Sequence, residues 1–115
     1  MLKRISFIAL LSITSATYAM IDEYQLEGLV GWTIIASKQI EGRIDENGEK
    51  SDDFEGCDHG TRIIFTDGTG VTCNSYGYQY AYMPKAIILG STIKYKGKDV
   101  TIYKMLVQGQ IYDVY

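Results

Sequence analysis

Apolar and polar residues alternate along much of this chain, and the alternation is that of strands. Between Trp32 and Glu41, residues Trp32, Ile34, Ala36 and Ile40 fall on one face of an extended chain and Thr33, Ser37, Gln39 and Glu41 on the other. That is a period of two with one wet side. Ile35 breaks the polar face and Lys38 the apolar one, which predicts a twist or bulge midway. Gly42–Gly60 is rich in Asp, Glu, Asn, Gly and Ser and reads as a long loop ordered near its end by Cys57. Thr61–Thr66 is the next predicted strand, and Asp67-Gly68-Thr69-Gly70 a hairpin turn in which Asp-Gly takes positive φ angles. Val71–Met83 returns as a strand, stopped by Pro84, which has no N–H for a ladder. Ala86–Leu89, Ser91–Tyr95, Val100–Val107 and Gln110–Tyr115 follow, with turns at Lys96-Gly97-Lys98-Asp99 and Gln108-Gly109.

No stretch from Met20 onward holds an apolar i, i+3, i+4, i+7 pattern for long. Met20–Gly28 reads at most as a short helical or extended lead-in. About five to seven short strands joined by tight turns predict a mostly β fold, a small antiparallel barrel or rolled sheet of SH3-like or OB-like size. Closure would also remove strand edges open to aggregation.

The first residues have a different character. Lys3 and Arg4 precede an apolar run, Ile5–Ile13, and small and polar residues lead to Thr17-Tyr18-Ala19. This is the pattern of a cleavable export signal, expected over residues 1–19. The apolar run is shorter than the roughly 20 residues that cross a bilayer, so no membrane anchor is expected after cleavage. Met20–Tyr115, 96 residues, is room for a single small β domain, expected in the periplasm or outside the cell.

Charge and cysteine content narrow the partners. Loss of Lys3 and Arg4 takes the eleven basic residues to nine against fourteen acidic ones, a net charge of −5. An acidic balance disfavours nucleic acid, whose binding depends on neutralised phosphates, and favours a basic protein or ligand. Cys57 and Cys73 are the only two cysteines, and in an exported chain they predict a disulfide. Closing a loop of that size stabilises by about 3 kcal/mol. Two cysteines and one histidine cannot complete a closed zinc site, and neither metal nor cofactor is expected.

The most distinctive stretch is Tyr76-Gly77-Tyr78-Gln79-Tyr80-Ala81-Tyr82. On a strand, Tyr76, Tyr78, Tyr80 and Tyr82 project from one face, and tyrosine suits recognition because a large apolar body carries a hydroxyl that stays wet. The competing expectation is that two or three of these rings pack in the core or cover a barrel end. Trp32, Phe65 and the aliphatic residues already claim a core of this size, so at least two rings are expected to stay exposed. His59, in Cys57-Asp58-His59-Gly60, is the sole histidine. Consecutive residues converge poorly into a nucleophile–base set, and no Gly-x-Ser-x-Gly elbow is present. Asp45, Asn47 and Glu49 alternate like calcium-loop ligands, but the glycine and the twelfth position, Gly56, do not fit. Paired carboxylates for glycoside hydrolysis would need a cleft between rigid elements.

Glu55-Gly56-Cys57-Asp58, Ile63-Ile64-Phe65, Thr72-Cys73 and the tyrosine run with Ala86-Ile87-Ile88-Leu89 are similar to small exported bacterial proteins of uncharacterised function. The likeness spans Glu55 to Leu89 and touches Ile111-Tyr112-Asp113. It implies a bacterial periplasmic or secreted protein and no activity, so it assigns no catalytic residue. These features predict a non-enzymatic, protein-binding module, inhibitor- or immunity-like. A carbohydrate or small-ligand binder using the tyrosine face is the alternative, and a small hydrolase resting on His59 the third.

Overall fold

A computed structural model describes residues 21–115; the export signal expected over residues 1–19 lies outside the described residues. The chain is mostly β. One short helix, α1 (Glu23–Glu27), precedes strands β1 (Thr33–Ile44), β2 (Lys50–Ser51), β3 (Phe54–Cys57), β4 (Arg62–Phe65) and β5 (Gly70–Thr72). Strands β6 (Gly77–Ala81), β7 (Lys85–Tyr95), β8 (Lys98–Val107) and β9 (Gln110–Val114) complete it. The lead-in is helical because Asp22 and Gln25 form a capping box: the Asp22 carboxylate accepts from the Gln25 N–H at 3.0 Å. The helix buries nothing and is tied down by Gln25 Nε2, which donates to the Gly109 carbonyl at 3.2 Å.

The main sheet runs β5-β4-β1-β7-β8-β9, all antiparallel, with β2 paired to the end of β1. It curls into a half-barrel whose ends meet at one corner. There Thr72 N–H donates to the Tyr115 carbonyl at 2.8 Å, Tyr115 N–H returns to Thr72 at 3.0 Å, and Asn74 N–H donates to Asp113 at 2.9 Å. Inside the curl lie Ile40, Ile63, Phe65, Ala86, Met105, Val107 and Tyr112, all buried. Two turns follow the expected chemistry. Lys96 and Gly97, then Gln108 and Gly109, have consecutive positive φ angles of 51° and 77°, and 45° and 80°, the mirror-type turn that matches strand twist.

Elsewhere the tertiary structure corrects the pattern. β1 does carry the expected bulge, between Ile34 and Ala36, and a second between Ile40 and Gly42. The first bulge takes Ile34 out of the expected apolar face, so Ile34 and Ile35 are both exposed. Trp32 is likewise not core: it is half-buried, with Lys104 Nζ 5.0 Å from its ring centroid. Ala86–Leu89 and Ser91–Tyr95 are one strand, since Gly90 pairs with Tyr103 and carries the ladder through. The Asp67 turn is a wider loop, closed by the Phe65 N–H donating to the Thr69 carbonyl at 2.8 Å, and only Gly68 in it has positive φ. Asp67 itself accepts from the Thr69 N–H and the Lys38 ammonium. Those contacts, Lys38 first, hold its carboxyl well below the usual carboxylate range.

Two larger corrections shape the candidate site. Gly42–Gly60 is not a long loop, because it contains the end of β1 together with β2 and β3. Its acidic composition serves the turn between them: Asp45 Oδ1 accepts the N–H groups of Asn47 at 2.9 Å and Glu49 at 2.8 Å. Gly42 is where β2 crosses closest, since a Cβ there would lie 2.2 Å from the Ser51 carbonyl oxygen. Val71–Met83 is not one strand either. After Cys73 the chain leaves the main sheet, with Ser75 Oγ accepting the Asp113 N–H at 3.0 Å. It then pairs β6 with β3 as a separate two-stranded ribbon.

Candidate functional site

The β3–β6 ribbon has an inner and an outer face of opposite chemistry. Inward, Phe54, Cys57, Gln79 and Ala81 are all buried. The Phe54 ring meets the Tyr112 ring edge-on, centroids 5.9 Å apart at 87°. Gln79 would be costly to bury unpaired, but its Nε2 donates to the Val107 carbonyl at 2.9 Å and its Oε1 accepts from the Tyr112 hydroxyl at 2.8 Å. The same burial pushes the Tyr112 hydroxyl up to about 12. Gly77 lets the ribbon sit this low, because a Cβ there would lie 2.8 Å from the Tyr112 ring. At the ribbon's end the disulfide joins Cys57 to Cys73, Cα atoms 5.5 Å apart.

With Gly77, Gln79 and Ala81 committed inward, strand geometry sends the tyrosines outward. Tyr76, Tyr78, Tyr80 and Tyr82 are 74%, 67%, 62% and 73% exposed. The expectation that at least two rings stay exposed is thus exceeded, and the competing one, that two or three are core, does not hold. Beside the rings runs an acidic margin drawn from the Gly42–Gly60 segment: Asp52, Asp53, Glu55 and Asp58. Arg43, from the end of β1, reaches under it. Its Nη2 lies 3.1 Å from Glu55 Oε2 and its Nε 3.6 Å from Asp53 Oδ1.

Two shallow clefts result, one on each side of the Arg43–Glu55 pair. The first, about 160 Å³, lies among Glu55, Asp58, Thr61, Tyr76 and Tyr78. The second, about 380 Å³, lies among Ser51, Asp52, Asp53, Tyr80 and Tyr82. The sequence holds an unused signal for this margin: Phe54 is a large apolar residue inside an otherwise polar run. Nothing in the sequence pointed to Arg43.

The other candidate groups form no catalytic hydrogen-bond relay among the described residues. His59 is exposed, and Asp58 Oδ1 accepts its backbone N–H at 2.8 Å. Cys57 has its sulfur in the disulfide. Among the described residues, no group of three His, Cys, Asp or Glu is placed to hold a metal ion, and no helix is long and apolar enough to cross a membrane. Compared with protein-family models, with curated proteins and with solved structures, the chain matches none, and its half-barrel and single disulfide stand without a named family.

Proposed function

We propose that this chain is an exported, non-enzymatic protein-binding module of the periplasm or extracellular space, and that the outer face of the β3–β6 ribbon is its binding surface. The observation that carries the reading is the exposure of all four tyrosines on a ribbon whose other face is pinned to the half-barrel. A tyrosine has few side-chain torsions for its contact area and so loses little conformational entropy on docking, which is why it concentrates in recognition surfaces. An intact disulfide accords with an oxidising compartment.

The test is capture of a partner from a periplasmic extract by wild type and by a Tyr78→Ala/Tyr80→Ala double variant. A stoichiometric protein held by wild type is expected to be lost by the variant, with the melting temperature unchanged. Retention on a peptidoglycan or glycan matrix instead, with no protein partner, would replace the reading with sugar stacking on the same rings. An enzymatic activity abolished by His59→Ala in a folded protein would overturn it altogether.

A further inference from the structure

We infer that the tyrosine face is built for a basic protein segment, each of its two clefts accepting one lysine or arginine side chain; this rests on the binding reading above. Each cleft pairs two tyrosine rings with carboxylates, Tyr76 and Tyr78 with Glu55 and Asp58, Tyr80 and Tyr82 with Asp52, Asp53 and Glu55, and Arg43 lines both. That combination suits a cation, which gains from ring faces and carboxylate oxygens together. Four carboxylates line the face against one guanidinium, and Arg43 is already shared between Asp53 and Glu55. Among the described residues, neither Asp52 nor Asp58 forms an ion pair. The surface is therefore left negative, and its complement must be positive.

The spacing adds a second constraint. Tyr76 and Tyr78 line the first cleft and Tyr80 and Tyr82 the second, so the two ring pairs are offset by four residues, about 13 Å of strand. An extended partner segment laid along the ribbon would place side chains i and i+4 over the two clefts, both on its lower face. Residues i and i+1 would point to opposite sides and engage only one.

The experiment titrates the full chain with extended peptides while tyrosine-ring NMR signals are followed. One peptide carries arginines at i and i+4, a second carries them at i and i+1, and a third replaces both arginines by citrulline, of similar shape but neutral. The first is expected to shift the Tyr76, Tyr78, Tyr80 and Tyr82 signals and to bind about 10-fold more tightly than either control, the advantage shrinking as salt is raised. Asp52→Asn with Asp58→Asn, one carboxylate from each cleft and neither ion-paired, should remove most of that advantage while leaving the melting temperature unchanged. Equal shifts from the citrulline peptide, or no shifts from any peptide, would overturn the cation assignment. If the tyrosine double variant still loses its partner in extract, the binding surface survives that failure. Equal binding of the two arginine peptides would overturn the two-cleft spacing.

Discussion

Gln79 shows how one residue decides which way a strand faces. A glutamine between tyrosines would ordinarily turn to water, but here both ends of its amide are matched, to the Val107 carbonyl and the Tyr112 hydroxyl. Tyr112→Phe removes the hydroxyl donor and leaves Gln79 Oε1 unsatisfied in a buried place, at a cost of about 1–3 kcal/mol near neutral pH. The pH dependence has a definite sign. Burial raises the Tyr112 hydroxyl from its ordinary 10.0 to about 12 in the folded chain. Below pH 10 both states hold the proton and the contribution is complete. Between about 10 and about 12 the unfolded chain releases it first, so stability falls as pH rises. Urea denaturation across this range should show the gap between wild type and Tyr112→Phe narrowing; a constant gap would refute the assignment.

At the scale of the element, the β3–β6 ribbon is a two-stranded unit of the kind that is marginal alone. It stays ordered because Phe54, Gln79 and Ala81 dock on the half-barrel and because the Cys57–Cys73 bond spans 16 residues. A Cys57→Ala/Cys73→Ala variant should lose about 3 kcal/mol by the loop-closure argument. Native-state hydrogen exchange should then quicken in Gly77–Ala81 before the β1–β7–β8 ladder. Uniform acceleration through the whole sheet would show that the ribbon and half-barrel unfold as one unit. Glycine is required at position 56, where φ is +88° and a Cβ would lie 2.0 Å from the Gly77 carbonyl oxygen.

Across the whole molecule, stability is concentrated at one end. Ala86, Ile88, Leu89 and, opposite them, Met105 and Val107 are buried, whereas the same two strands beyond Ser91 project with Ile93, Tyr95, Val100 and Ile102 exposed. Ile88→Ala should therefore cost about 2–5 kcal/mol in a thermal or urea melt. Ile93→Ala, which loses one cross-strand contact with Val100, should cost about 1 kcal/mol or less. Equal losses would mean that the projecting hairpin is packed against something, such as a second copy. The tyrosine-bearing ribbon sits at the packed end, with Phe54 and Ala81 joined to the buried core and Gln79 bonded to Val107 and Tyr112.

Local rules alone settled a good part of this. Two mirror-type turns at Lys96-Gly97 and Gln108-Gly109 follow from glycine's freedom at positive φ. Two cysteines allow a single intramolecular pairing, and alternation from Tyr76 to Tyr82 puts four rings on one side of a strand. Alternation defines two faces without saying which of them is inside. That was decided in three dimensions, where Gly77 clears the Tyr112 ring and Gln79 finds both of its partners. The break between β5 and β6, and the strands hidden in the acidic run, were decided there too. Backbone hydrogen bonds to Asp113 and the burial of Phe54 fix them, and both depend on segments distant in the chain. Composition misread the acidic run because carboxylates that cap a tight turn look, residue by residue, like carboxylates in a solvated loop. Arg43 joined the candidate site through the same kind of long-range contact: only the fold brings the end of β1 beneath the margin of β3.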